Sequence, residues 1–277
     1  MIIGYNKIKC LLIAGVTFLL LISPNMSLQA QSVSEKKAKA YMVADAHLDT
    51  QWNWDVQTTI KEYVWNTLSQ NLLLLKRYPD YIFNFEGGVK YAWMKEFYPA
   101  EFAQLKEYVK EGRWHISGSS WDVNDVLVPS PESTIRNILL GQEYYRREFQ
   151  TESTDIFLPD CFGFGWTLPT IASHCGLIGF SSQKLDWRVH PFYNGSKHPF
   201  TIGLWKGIDG SSIMLSHGYG YGERWNDVDL SENKDLFDLT KRTPLNTVYR
   251  YYGTGDVGGS PTIGSVRSVA KGIRGNG

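Results

Sequence analysis

The stretch Tyr41-Met42-Val43-Ala44-Asp45-Ala46-His47-Leu48-Asp49-Thr50-Gln51-Trp52-Asn53-Trp54 governs the reading of the whole chain. Its opening apolar run, Tyr41 to Ala44, reads as a strand, and a longer helical pattern sets in at about Val56. Between them stand His47 and Asp49, whose i, i+2 spacing puts an imidazole and a carboxylate on the same side of an extended backbone. A neutral imidazole with a carboxylate suits Zn²⁺ or a similar divalent ion. The same two residues serve equally well as a strand-end histidine and a helix-capping aspartate, so the H-x-D spacing alone decides nothing. Trp52 and Trp54 follow at once and offer flat faces on which a sugar ring can stack.

The same alternation continues outward from this stretch. Tyr81 to Phe85, Trp114 to Gly118, Ile156 to Leu158, Leu177 to Ser181 and Thr247 to Tyr252 read as further strands. Helices are expected at about Val56 to Arg77, Lys90 to Lys110 and Leu168 to Cys175. Another is expected from Ser130-Pro131-Glu132 to about Phe149; Ser caps it, Pro suits its first turn and Glu meets the positive end of the dipole. Strand–helix alternation implies parallel strands with crossover helices, hence an α/β barrel or a doubly wound sheet. Phe200 to Trp205 and Ser212 to Ser216 look instead like an inserted hairpin.

In such folds sites are built at the carboxyl ends of the strands. Two more strand ends carry acids. Leu158-Pro159-Asp160-Cys161-Phe162-Gly163-Phe164-Gly165-Trp166 sets an aspartate before a Gly-aromatic turn, and Tyr251-Tyr252-Gly253-Thr254-Gly255-Asp256-Val257-Gly258-Gly259 embeds one in glycines. Glycines let backbone approach a ligand closely; an ordinary strand-to-helix loop, with Ser260-Pro261 opening a last helix, accounts for the second segment equally well.

Composition narrows the partners. With 28 Lys+Arg against 28 Asp+Glu the chain has no net charge, so it lacks the field that draws in nucleic acid. Ten Trp and sixteen Tyr favour a carbohydrate or another neutral polar substrate. Lys7 and Lys9 precede an apolar stretch from Cys10 to Ile22, with Ala30 placed for cleavage before Gln31; residues 1–30 read as a secretory signal peptide and the product as exported, periplasmic or secreted. The mature chain keeps Cys161 and Cys175, expected as buried thiols, and has no C-x-x-C spacing for a thiolate zinc site.

Five ordered motifs together resemble a known family: His47-Leu48-Asp49-x-x-Trp52, Glu111-Gly112-Arg113-Trp114 with Gly118-x-x-Trp121, Pro159-Asp160-x-Phe162-Gly163, Gln183-Lys184-Leu185-x-Trp187 and Gly255-Asp256-x-Gly258-Gly259. From about Tyr41 onward the chain resembles the catalytic domain of glycoside hydrolase family 38, the retaining α-mannosidases. The resemblance implies a seven-stranded β/α barrel in which His47, Asp49 and Asp160 hold a zinc ion and Asp160 is also the nucleophile. It implies that Trp52 and Phe162 line the mannose of an α-mannose-containing glycan and that Lys184 hydrogen-bonds it. Asp256 is the choice for acid/base, on its glycine setting, with Asp125 in reserve.

The family's zinc site takes a fourth protein ligand, a histidine, from a segment beyond Gly277, so residues 31–277 are expected to be the amino-terminal part of a longer catalytic domain. His115, His174, His190, His198 and His217 are assigned structural or surface roles. Two other readings stand beside the mannosidase: a truncated glycan-binding remnant without turnover, and a metal-dependent carbohydrate deacetylase, which would carry an H-x-x-x-H pair that this sequence lacks.

Overall fold

The computed structural model describes residues 38–184, 201–217, 220–243 and 245–275. Strand β1 (Lys39–Ala46) lies between β2 (Phe83–Phe85) and β8 (Thr247–Thr254), and β3 (Trp114–Ile116) completes a four-stranded sheet in the order β3-β2-β1-β8. All its pairings are parallel, and β1 and β8 stay in register from Lys39↔Thr247 to Ala46↔Thr254. A second sheet, in the order β4-β5-β7-β6, holds β4 (Asp155–Phe157), β5 (Gly179–Ser182), β7 (Ser212–His217) and β6 (Ile202–Lys206). Here β4, β5 and β7 are parallel, whereas β6 pairs antiparallel with β7 at the edge and makes the expected hairpin.

The α/β class with parallel strands is thus as expected. The single seven-stranded barrel is not what the described residues form, since two four-stranded sheets take its place. The gap falls between β3 and β4, which ladder with β2 and β5 respectively and not with each other. Just past β3 the chain meets β4 at Asp155: Ser119 N–H donates to its O at 2.9 Å, Gly118 N–H to its Oδ1 at 3.2 Å and Ser117 Oγ to its Oδ2 at 3.3 Å. Each sheet has its own core: one packs Leu68, Leu75, Phe83, Tyr91, Leu105 and Trp114, the other Ile138, Ile156, Leu158, Leu168, Phe180 and Ile213.

Helix α1 (Val56–Thr58) runs through a π-helical segment, Thr59–Val64, into α2 (Trp65–Arg77), so the expected helix is present with one widened turn. Asp55 caps it by accepting from Thr58 N–H at 2.8 Å, and Thr59 Oγ1 donates back to Thr50 O at 2.9 Å. That bond ties the helix start to the loop after β1. The expected Lys90 to Lys110 helix is instead two, α3 (Gly88–Phe97) and α4 (Pro99–Lys110). Pro99 has no N–H to continue α3 and its ring suits a first turn, so the break falls at Tyr98.

Helix α5 (Pro131–Phe149) starts as expected, Ser130 Oγ accepting from Ser133 N–H. Helices α6 (Leu168–His174), α7 (Lys234–Thr240) and α8 (Ile263–Gly275) complete the set; α7 is not evident from the sequence pattern. Cys161 and Cys175 are free thiols, the first buried and the second partly exposed. Among the described residues no helix is long and apolar enough to cross a membrane. The segment read as a signal peptide and the Leu185 to Trp187 part of one motif lie outside the described residues, as do His190 and His198.

Candidate active site

The loop after β1 is zipped to the loop after β8. His47 N–H donates to Thr254 O at 2.9 Å, Asp49 N–H to Asp256 O at 2.9 Å and Gly258 N–H to His47 O at 3.0 Å. Leu48 and Val257 form an antiparallel bridge between them. Two segments some two hundred positions apart in sequence thereby become one rigid ledge. The glycines make this possible: a Cβ on Gly255 would overlap the Tyr221 ring, and Gly258, at φ +65°, would drive one into Thr67. Asp256 itself is held in the left-handed region at φ +62°.

Above the ledge lies a cavity of about 380 Å³ whose walls include His47, Asp49, Trp52, Asp160, Phe162 and Asp256. Six of the seven site residues expected from sequence therefore share one cavity. The seventh, Lys184, borders it through an ion pair of its Nζ with Asp160 Oδ1 and stands 4.7 Å from the centre of the Phe162 ring. Trp52 and Phe162 are both more than half exposed at the rim. Asp122 and Asp125 add two further carboxylates to the wall. Asp125, the reserve acid, spends one oxygen on its own loop, accepting from Leu127 N–H at 2.6 Å and Val128 N–H at 3.0 Å.

His47 is buried, with Nε2 3.2 Å from Asp49 Oδ1 and Nδ1 3.5 Å from Glu86 Oε1. Burial alone would lower its pKa, but contacts with the two carboxylates outweigh it and lift the imidazole to about 9. Tyr221 donates from its hydroxyl to Asp256 Oδ1 at 2.9 Å and packs its ring 5.2 Å from that of His47. Burial first, and then the bond to Asp256, push the phenol well above its usual range.

Beneath His47 sits Asp45, fully enclosed with neither oxygen hydrogen-bonded among the described residues; burial and then the charge of Glu86 raise its pKa well above the carboxylate range. Among the described residues no group of three or more His, Cys, Asp or Glu side chains is close enough to hold a metal ion. The remaining described histidines stay outside the cavity lining: His115 points out of β3, His174 pairs with Asp209 at 2.9 Å and His217 is buried at the end of β7.

Residues 37–271 match the model of the glycosyl hydrolases family 38 N-terminal domain. The chain belongs to glycosyl hydrolase family 38. The deacetylase reading is set aside with that assignment. Alpha-mannosidase G of Dictyostelium discoideum is 34% identical over 84% of this family 38 chain and 21% of its own length. Alpha-mannosidase 2C1 of Homo sapiens is 28% identical over 84% of this chain and 22% of its own. This chain thus spans about a fifth of the length of either relative. The crystal structure of an alpha-mannosidase from Enterococcus faecalis V583 shares the fold at a TM-score of 0.66 and 18% identity, covering 86% of this chain and 26% of that one.

The sequence pattern missed Glu86, Lys90, Asp122 and Tyr221. A signal for Glu86 was available, because Phe83-Asn84-Phe85-Glu86-Gly87-Gly88 is one more strand end with an acid before glycines. Tyr221 carried none, lying in a loop with no period.

Proposed function

We propose that this chain carries the sugar-cleaving site of a retaining α-mannosidase acting on terminal α-mannosides of glycans, with Asp160 as nucleophile and Asp256 as acid/base. The observation that carries the reading is the single cavity lined by His47, Asp49, Asp160 and Asp256, contributed from three separate strand ends. The chemistry is coherent: one carboxylate attacks the anomeric carbon, a covalent glycosyl-enzyme forms through an oxocarbenium-like state, and water releases it with the configuration retained. Asp256 gives a proton to the leaving oxygen and later takes one from water. The Tyr221 hydroxyl orients Asp256 by donating to Oδ1. Trp52 and Phe162 give the sugar apolar faces, and Lys184 bonds a hydroxyl from beside Phe162.

A zinc ion fits the donors in kind and, for one pair, in spacing. Two zinc ligands about 2.1 Å from a tetrahedral ion stand about 3.4 Å apart, and His47 Nε2 and Asp49 Oδ1 are 3.2 Å apart. Five aspartates line the cavity, and the Lys184 ammonium already neutralises Asp160 as a cation would. His47, Asp49 and Asp160 would hold the ion, which supplies a positive template for the sugar hydroxyls. On this reading the two sheets are the two walls of the family's β/α barrel, and the product of the gene is exported.

The test is hydrolysis of an aryl α-mannoside by the chain and by Asp160→Asn, with the anomeric configuration of the product followed by NMR. Release of α-mannose that disappears in the variant is the expected result. Zinc and glycan binding with no Asp160-dependent release would support the non-catalytic remnant instead.

A further inference from the structure

Trp52 and Trp54 stand two apart in sequence, yet the fold gives them different surroundings. Trp52 lies at the cavity rim and is more than half exposed, whereas Trp54 is half-buried and lies outside the cavity lining. The two rings meet nearly perpendicular, their centres 5.9 Å apart, in the edge-to-face geometry that aromatic pairs favour.

Trp54 is itself held from behind. Its indole N–H donates to Thr59 Oγ1 at 2.9 Å, and its ring meets that of Tyr63 at 4.8 Å, again nearly perpendicular. Thr59 and Tyr63 both belong to the π-helical segment Thr59–Val64, and neither lines the cavity. The buried Thr59 uses its hydroxyl twice, accepting from Trp54 and donating to Thr50 O at 2.9 Å. One hydroxyl thereby ties together the two ends of the loop from Thr50 to Trp54, with Trp52 in its middle. The widened segment is steadied in turn by Tyr98, whose hydroxyl donates to Ile60 O at 2.8 Å. A π-turn within a helix is rare and recurs at functional sites. Here two of its side chains are spent on Trp54, and Trp54 connects them to the rim.

We propose that Trp54, held by Thr59 and Tyr63, is a positioning residue that keeps the Trp52 ring ready to stack on the terminal sugar. This rests on the reading of Trp52 as a face for that sugar. An unbraced ring at the rim would lose its rotamer freedom on binding, which costs roughly two- to tenfold in affinity for one side chain. Trp54 touches no sugar in this scheme and acts only through Trp52.

The experiment is a double-mutant cycle on the chain, with Trp52→Ala, Trp54→Ala and the two combined, and with Trp54→Phe as a milder change. Binding of methyl α-mannoside is titrated by NMR, which needs no turnover; KM and kcat on an aryl α-mannoside and thermal unfolding are recorded alongside. Trp54→Ala is expected to weaken binding and raise KM roughly two- to tenfold with kcat little altered, and to have no further effect once Trp52 is alanine. Trp54→Phe, which keeps a ring against Tyr63 without the N–H, is expected to fall between the parent and Trp54→Ala. If Trp54→Ala fails to fold, the cycle is run with Trp54→Phe. Parental binding in the folded Trp54 variants, with Trp52→Ala deficient, would overturn the brace and leave Trp52 as the sugar face. An equal loss from the Trp54 change with and without Trp52 would overturn it too, since Trp54 would then act by another route. Parental binding in Trp52→Ala, or no binding of the mannoside by the parent, would overturn the sugar-face reading beneath it.

Discussion

Strand β1 borders two cavities, one at each end, and they could hardly differ more. At its start Lys39, Tyr41 and Met42 face a groove of about 730 Å³ walled by Leu236, Phe237, Val269 and Ile273, in which Lys39 is the one charged lining residue. Past its other end His47 and Asp49 enter a space half that size, about 380 Å³, with five aspartates in its wall. The larger void has no carboxylate, imidazole or thiol in its lining. Chemistry, not volume, identifies the site, and it falls at the carboxyl ends of the strands, where a parallel sheet splays its loops apart.

The contrast is broken or kept most sharply at Asp160. Asp160→Asn should lower hydrolysis of an aryl α-mannoside by more than about a thousandfold, and Asp256→Asn by about a hundred- to ten-thousandfold, with kcat/KM as the readout. Neither change should shift the unfolding midpoint much, since both side chains lie in the wall of an open cavity. Residual activity near the parental level in Asp160→Asn would move the nucleophile elsewhere.

Next in size is a pH effect confined to the site end. His47 has its folded-state pKa raised from 6.5 to about 9, so its contribution is complete below pH 6.5 and disappears as the pH climbs through 9. For the metal-free chain the loss should be on the order of 3 kcal/mol, seen in urea midpoints between pH 6.5 and 9.5. His47→Ala should flatten that slope. Zinc should reverse its sense, because binding needs the neutral imidazole and becomes stronger as the proton leaves.

The groove responds in stability instead. Leu236 is 4% exposed at its wall, and Leu236→Ala should cost about 2 to 3 kcal/mol while leaving kcat/KM per folded molecule unchanged. A fall in kcat/KM with no change in stability would mean that the groove, too, belongs to function.

The same division separates what the sequence made legible from what it did not. His47, Asp49, Asp160 and Asp256 could be found because each follows an apolar run and precedes a Trp- or Gly-rich turn, a local pattern that parallel α/β topology converts into a shared location. Helix α5 was legible for the same local reason, its Ser130 cap and Pro131. The closing of the sheet was not, because it turns on whether β3 and β4 pair with each other, which depends on both segments at once. Nor was Tyr221, whose role is a contact across distant segments with Asp256, nor the placing of the local Glu86–Lys90 pair beside His47, which only the fold brings about. Helix α7 has only seven residues, about two turns, too brief to show a period.

The smallest expected effect compares exposed aromatic rings at the two ends of β1. Trp52 and Phe162 are 62% and 61% exposed at the cavity rim, while Tyr41 and Phe237, at 56% and 44%, border the groove. By exposure alone these four should be interchangeable, each worth within about 0.5 kcal/mol of stability when cut to alanine. Only the first two stand beside carboxylates that could act on a sugar. A ring stacked on the sugar contributes about 1 kcal/mol, so Trp52→Ala and Phe162→Ala should each raise KM several-fold with kcat little altered. Tyr41→Ala and Phe237→Ala should leave both constants alone. Equal KM values across all four variants would strip the aromatic rim of its role in binding, and would leave only the carboxylates to distinguish the two ends.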